Sequence, residues 1–254
     1  MAAQLAPVAR LPVYRSTRRV SIFPSLPDAR IQDIGPIIRF STTTNENITA
    51  HVQDGSTIDD IDAVLFGTGY YPHVPYIQVL HPESRTLTPL TSRTISPSRV
   101  PSLHLQILYA HNPSLAFIGA TISFIPFLLA DLTSTWLALA WSGSIPVPTT
   151  PEERLVYERD RLDALARQRA ETDNPSSLIN FHFLGRDELS YAQTVRDAIV
   201  AAGTRPELDG VLAKWDDAQD TRRFAMYAAK LDSLSVCAPA GGGVGASKST
   251  GSAT

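Results

Sequence analysis

The stretch Ile61-Asp62-Ala63-Val64-Leu65-Phe66-Gly67-Thr68-Gly69-Tyr70 contains the pattern that decides the fold class predicted for this chain. Its central residues, Ala63 to Phe66, are apolar without alternation, which is typical of a strand buried in a parallel sheet. Gly67 and Gly69 follow at once, and they allow a sharp turn or a close approach of the backbone to a bound group. A tight turn that only ends the strand is the alternative interpretation.

The same stretch resembles a segment of flavin-containing monooxygenases, D-x-x-x-x-A-T-G-Y, which returns the chain from the NADP domain to the FAD domain. Gly67 stands at the usual alanine. Three other segments resemble the family in the same order, so that the resemblance covers roughly residues 1–145. They are Val13–Arg19 (a strand and then S-T-R-R), Leu108-Tyr109 with Pro113–Gly119 (LY…P-x-LAFIG), and Pro126-Phe127 with Trp136, Ala138 and Ser142-Gly143 (a helix). Residues Phe181–Gly185 and Tyr191 fit the fungal-type, dimethylaniline monooxygenase-like members more loosely.

The resemblance implies an α/β fold: part of a flavoprotein with two interleaved, Rossmann-like dinucleotide-binding domains and a helical C-terminal region. Residues 1–60 would form the C-terminal part of the NADP-binding domain, and residues 61–145 the returning segment of the FAD domain. Residues 146–237 would form the helical region. Residues 238–254, rich in Gly, Ser and Ala, are expected to be a disordered tail.

Both Gly-rich nucleotide loops of the family are missing from the sequence. Such a loop, with the helix that follows it, holds the pyrophosphate of a dinucleotide. Compared with the family, the chain would begin just past the NADP loop. The sequence therefore predicts an incomplete chain that is inactive by itself, and a start site placed too far downstream is the alternative.

Periodicity and turn residues predict the local elements. A β-meander is expected over residues 20–60, with strands at Ile37–Phe40, Ile48–Gln53 and Thr57–Ile58 and a hairpin turn at Asp54-Gly55. Thr150 is the expected N-cap of a helix over residues 151–171. The other predicted elements are a helix end at 1–9, strands at Val13–Ser16 and Leu115–Ile118, and helices at Pro126–Trp141, Gly185–Ala202 and Pro206–Leu234.

Five residues at the end of the first strand are candidates for binding NADP: Arg15, Ser16, Thr17, Arg18 and Arg19. The resemblance places them at the 2′-phosphate of the adenosine ribose, which guanidinium groups recognise. A solvated basic surface is the alternative interpretation of the three arginines.

The resemblance implies further cofactor contacts nearer the flavin. Thr68, Gly69 and Tyr70 would lie where two domains meet the cofactors, and a structural turn with Tyr70 in the core is the alternative. Gly119 would let the backbone pass close to the flavin ring, and a small residue for packing is the alternative. Asp131 and Thr133 take the Glu and Gln positions of the family helix, and Thr133 departs from the family pattern.

No catalytic residue is predicted, because neither an acid–base pair nor a nucleophile stands out. His104, His111 and His182 are isolated and expected to be structural, and no spacing suggests a metal site. The resemblance implies that NADPH reduces FAD, and that O2 then forms a flavin hydroperoxide, which transfers one oxygen atom to an amine nitrogen or a sulfur. A non-catalytic remnant that acts as a binding or regulatory module is the alternative.

The 254 residues carry a formal net charge of −3, which implies no general attraction to nucleic acid. The only cysteine, Cys237, excludes an intrachain disulfide. We predict a cytoplasmic protein with a small-molecule substrate. Two alternatives stay open: a mitochondrial leader, because residues 1–23 are rich in arginine, and association with the endoplasmic reticulum membrane, because Leu115–Trp141 is long and apolar. Gly119, Pro126 and Asp131 argue against a single inserted helix.

Overall fold

The computed structural model describes residues 2–18, 27–42, 47–69, 71–81, 83–171 and 179–236. The predictions for Arg19, Tyr70, Cys237 and the tail at 238–254 lie outside these residues. The described chain divides into two compact units, one made of residues up to 67 together with 226–236, the other of residues 68–225. The domain limits that the resemblance implies stay a prediction.

The first unit contains a parallel strand pair and an antiparallel meander. Strands β1 (Val13–Ser16) and β2 (Ile31–Ile34) pair in parallel, with Arg15 opposite Asp33. Strands β3 (Ile37–Thr42), β4 (Ile48–Val52) and β5 (Thr57–Ile61) pair in chain order. The central strand β4 is the most buried, and Gly55, with φ of +90°, lies in the turn between β4 and β5. The predicted first strand and hairpin turn are confirmed, and the meander is confirmed for β3 to β5, whereas β2, inside the range predicted for it, pairs with β1 instead. The elements of this unit are α1 (Ala2–Leu5), β1 (Val13–Ser16), β2 (Ile31–Ile34), β3 (Ile37–Thr42), β4 (Ile48–Val52) and β5 (Thr57–Ile61).

The apolar run from Ala63 to Phe66 is not a strand, and the prediction of a buried strand is wrong. Leu65 is 60% exposed and Phe66 is 74% exposed. An apolar run without alternation is buried as a strand only where other strands flank it, and no described strand pairs with residues 63–66. The Phe66 ring instead meets the Phe40 ring edge-on, with 6.2 Å between centroids.

The second unit is mainly helical and has two small antiparallel hairpins. Its core is formed where helix α2 (Pro126–Trp141) packs against helix α5 (Glu188–Ala201). Leu129, Leu132 and Trp136 of α2 are buried there with Val195 and Ile199 of α5. The elements are β6 (Gln78–Leu80), β7 (Leu87–Pro89), β8 (Leu103–His104), β9 (Leu108–Tyr109), α2 (Pro126–Trp141), α3 (Pro151–Arg154), α4 (Val156–Ala170), α5 (Glu188–Ala201), α6 (Leu208–Val211) and the beginning of α7 (Asp217–Val236).

Helix signals in the sequence are mostly confirmed. Helix α2 has the predicted bounds, with Pro126 in its first turn. Thr150 caps α3 in a capping box with Glu153, as expected from its hydroxyl and the acidic third residue. The predicted 151–171 helix breaks at Leu155, and the 206–234 helix is divided into α6 and α7. Leu115–Ile118 is not a strand, because only Ala116 bridges to a neighbour, Leu108.

The fold is therefore mixed α/β, as predicted, with small sheets and packed helices. The interleaved Rossmann-like arrangement stays a prediction. Within the described ranges, no helix is both long enough and apolar enough to cross a bilayer.

Candidate functional site

Arg15, the first of the predicted NADP ligands, is already paired within the first unit. Its guanidinium donates two hydrogen bonds to the carboxylate of Asp33, which lies opposite on β2, at 2.5 and 2.7 Å. The hydrogen bonding raises the pKa of Arg15 and lowers the pKa of Asp33. Asp33 therefore neutralises part of the charge that a phosphate would meet.

The next three residues, Ser16, Thr17 and Arg18, differ in whether their polar groups are already hydrogen-bonded. Ser16 Oγ donates to the Gly35 carbonyl at 3.0 Å and accepts from the Ile37 amide at 3.2 Å, so this hydroxyl ties β1 to the link between β2 and β3. Thr17 and Arg18 are exposed. No described residue pairs with Arg18, so its guanidinium is available to an anion.

Thr68 and Gly69 are exposed and belong to no helix or strand. Gly69 has φ of +83°, a left-handed conformation that favours glycine. The boundary between the two units falls between Gly67 and Thr68. The structure therefore places this pair in an exposed segment outside the helices and strands.

Gly119 lies in a turn of the second unit with φ of +77°. A Cβ added there would meet no described atom within 4 Å, so open space adjoins the backbone. The residues that follow are fixed by α5, because the Glu188 carboxylate accepts from Ser123 Oγ at 2.8 Å and from the Phe124 amide at 3.2 Å. Gly119 thus combines a backbone conformation that favours glycine with open space beside it.

Asp131 and Thr133 lie two residues apart on α2, and their side chains have different surroundings. Asp131 is exposed, whereas Thr133 is buried. The Thr133 hydroxyl donates to the Leu129 carbonyl at 2.9 Å, a bond within its own helix. The structure therefore does not bring these two side chains to one surface.

A buried polar network around Gln106 was not predicted from the sequence. The Val100 amide donates to His182 Nε2 at 2.9 Å, so His182 carries its proton on Nδ1 and donates it to Gln106 Oε1 at 2.9 Å. Gln106 Nε2 in turn donates to the Tyr157 hydroxyl at 3.3 Å. No local signal could reveal a network whose members lie so far apart in the chain.

The backbone beside this network has an uncommon conformation. Leu105 and Gln106 have φ of +51° and +56°, which is costly for residues other than glycine. The Tyr191 hydroxyl donates to the Leu105 carbonyl at 2.6 Å and helps to hold this turn. His182 is thus a structural histidine with both ring nitrogens bonded, as expected.

Acid is expected to destabilise the second unit through His182. Burial, with smaller contributions from the charges of Arg99 and Arg161, lowers the pKa of His182 to about 4, whereas the unfolded chain has the ordinary value of 6.5. Between pH 6.5 and about pH 4 the unfolded state binds more protons than the folded state. The contribution of His182 to the free energy of unfolding is therefore fully present above pH 6.5 and decreases as the pH falls toward about 4. The free energy of unfolding should fall by about 1.4 kcal/mol per pH unit.

Urea unfolding near neutral pH and about two pH units lower measures this slope. In His182→Gln, most of the pH dependence of the free energy of unfolding should be lost. A smaller part should remain, because burial also lowers the pKa of His104. His111 is exposed, so His111→Gln is the matched control and should keep the full slope. An undiminished slope in His182→Gln would contradict this account.

The comparisons with known proteins point to monooxygenases. No family model matches the chain. A flavin-containing monooxygenase of Aspergillus flavus is 27% identical over 112 residues, 43% of this chain and 23% of the relative. The thiol-specific monooxygenase of Saccharomyces cerevisiae is 26% identical over 150 residues, 59% of this chain and 34% of the relative. The trimethylamine monooxygenase of a Roseovarius species is 26% identical over 133 residues, 52% of this chain and 27% of the relative.

The chain is therefore similar, over part of its length, to flavin-containing monooxygenases, and the resemblance predicted from its motifs is confirmed. The matched segments span between 23% and 34% of the length of these three relatives. The binding roles of the individual residues stay predictions.

Proposed function

We propose that this chain forms part of an FAD- and NADPH-dependent monooxygenase that transfers one oxygen atom from O2 to an amine nitrogen or a sulfur of a small molecule. The proposal depends on one observation, the partial sequence similarity to enzymes named for both kinds of acceptor, a thiol and trimethylamine. FAD, when bound, supplies the oxygen chemistry, and the protein binds, orients and shields the reactants.

Of the described residues proposed to bind the 2′-phosphate of NADP, some have polar groups available for it and others do not. The exposed Arg18 has a guanidinium without a partner among the described residues, and Thr17 beside it offers a hydroxyl. Arg15 contributes less charge, because Asp33 already accepts two of its hydrogen bonds. Arg18 is therefore the principal ligand of the 2′-phosphate in this proposal.

The proposed flavin side consists of Thr68, Gly69, Tyr70, Gly119 and Asp131. The open space at Gly119 supports the close approach of a flat ring, and Asp131 is exposed on α2. Thr133 is left out of the proposal, because its hydroxyl is bonded to the Leu129 carbonyl within the helix.

Visible absorbance of the purified chain tests the flavin part of the proposal. The chain is incubated with FAD, freed of unbound flavin and scanned for the flavin bands. Stoichiometric bound flavin would support the proposal and mean that the missing Gly-rich loops are dispensable, with NADPH-driven O2 uptake in the presence of trimethylamine or a thiol as the next assay. A colourless protein that FAD does not rescue would contradict flavin binding by this chain and favour an inactive fragment or a non-catalytic binding module.

Arg18→Gln is expected to weaken binding of NADP⁺ about tenfold and to leave binding of NAD⁺ unchanged, because a charge-assisted hydrogen bond to the 2′-phosphate is lost. Isothermal titration calorimetry with the two dinucleotides measures the difference. Arg93 is exposed in the second unit, so Arg93→Gln removes the same charge elsewhere and is the control. Equal losses in the two variants would mean that the effect is general electrostatics.

A further inference from the structure

A depression of about 390 Å³ lies in the second unit, outside the residues assigned to the cofactors. Its walls come from the end of α2, from the loop before it, and from the segment that leads into α3. They are mostly apolar and include Pro113, Ala140, Trp141, Val147 and Pro148. Arg154 of α3 is the charged residue that lines it.

Arg154 is 5% exposed, and its hydrogen-bond partners are all backbone carbonyls. Its Nε donates to the Ala110 carbonyl at 2.7 Å, and its Nη1 donates to those of Pro148 at 2.5 Å and Thr149 at 3.0 Å. Its Nη2 has no hydrogen-bond partner among the described residues. Among the described residues, Nη2 is not one of the fully buried unpaired polar atoms, so it reaches solvent and its two N–H groups are open to a further acceptor.

The other buried arginines of the described chain are neutralised. Arg161 pairs with Asp187 at 2.5 Å, and Arg223 pairs with Glu188 at 3.3 Å and with Asp220 at 2.5 Å. Arg154 forms no ion pair with a described carboxylate, since Glu158 is committed to Arg99 at 2.6 Å and Glu153 closes the capping box with Thr150. Arg154 thus differs from them in lacking a negative partner.

A buried charge without a counter-charge is costly, and carbonyl dipoles offset only part of that cost. A carboxylate bound at Nη2 would supply the missing charge through short, strong hydrogen bonds. Apart from Ser114 and Thr149, the remaining walls are apolar and favour a ligand whose remainder is apolar, because a polar group pressed against them would lose hydration. A phosphate dianion would need several more donors than one guanidinium edge provides.

We propose that this depression binds a small monocarboxylate with an apolar body, its carboxylate on Arg154 Nη2 and its body against Trp141 and Pro113. The site is separate from the residues proposed to bind NADP and flavin. The test of this site therefore does not depend on whether the monooxygenase proposal is correct.

Phenylacetate is the probe, and 2-phenylethanol is its uncharged match. Trp141 is 55% exposed at the wall, so its fluorescence reports occupancy, and calorimetry gives the dissociation constant. Phenylacetate should bind saturably and at least about tenfold more tightly than 2-phenylethanol, because only the acid gains a charge-assisted hydrogen bond. Equal affinities, no saturable binding, or displacement by equimolar inorganic phosphate would overturn the proposal.

Two variants locate the binding, with circular dichroism to verify that each is folded. Ala140→Leu adds volume at the wall without touching the Arg154 hydrogen bonds, and it should weaken phenylacetate binding at least about tenfold. Arg154→Gln should abolish the preference for the acid. If the loss of three carbonyl contacts unfolds Arg154→Gln, Ala140→Leu alone decides.

Arg159 is exposed one turn further along the helical segment, so Arg159→Gln is the matched control for charge. It should bind phenylacetate as the unmodified chain does. Unchanged binding in Ala140→Leu, or an equal loss in Arg159→Gln, would place any binding elsewhere and overturn the assignment.

Discussion

Glu188→Ala is expected to lower the free energy of unfolding by about 3 kcal/mol, the low end of what breaking a buried ion pair costs. Glu188 is fully buried, and its carboxylate accepts from Ser123 Oγ, from the Phe124 amide and from Arg223. The alanine would leave two donors and a buried cation without this partner. Arg223 keeps Asp220 at 2.5 Å, which is why the low end applies.

Asp220→Ala is the matched control for this change, because it removes the other carboxylate from the same arginine. The Asp220 side chain is 32% exposed, so water can replace it, and its loss should cost about 1 kcal/mol or less. Urea unfolding of both variants gives the comparison. Equal costs would show that burial does not set the strength of these contacts.

Leu129→Ala is expected to lower the free energy of unfolding by about 2–5 kcal/mol, because it opens a cavity in a packed core. Leu129 is 1% exposed in the cluster where α2 meets α5. Leucine and alanine have similar helix propensities, so the loss reports packing and not helix formation.

The adjacent residue provides the control, since Leu128 is 37% exposed on the same helix. Leu128→Ala removes the same atoms and should cost less than about 1 kcal/mol. Chemical denaturation of the two variants, with unchanged m values, separates the positions. A loss at Leu128 as large as that at Leu129 would contradict the packing of α2 against α5.

The sequence predicts well those elements whose causes are local. Pro126 in the first turn and the spacing of Leu129, Leu132 and Trp136 are sufficient to define α2, and the hydroxyl of Thr150 with Glu153 marks the start of α3. Asp54-Gly55 likewise specifies its hairpin turn. In each case the deciding residues lie within one or two turns of chain.

The features that the sequence does not predict depend on residues that lie far apart in the chain. The run from Ala63 to Phe66 has the composition of a buried strand, but burial requires flanking strands, and the described residues provide none. The charge of Arg15 is visible in the sequence, whereas its pairing with Asp33 depends on the parallel register of β1 and β2. The sequence likewise cannot show that Arg154 lacks a carboxylate partner among the described residues, because this depends on which residues the fold brings close to it.

The division of the chain has a consequence for its biosynthesis. The first unit combines the described residues up to 67 with residues 226–236, while the second unit, residues 68–225, lies between them in the chain. On the ribosome, residues 68–225 can therefore fold as soon as they emerge. Strands β1 to β5 are synthesised before residues 226–236, so their unit becomes complete only after the end of α7 has been made.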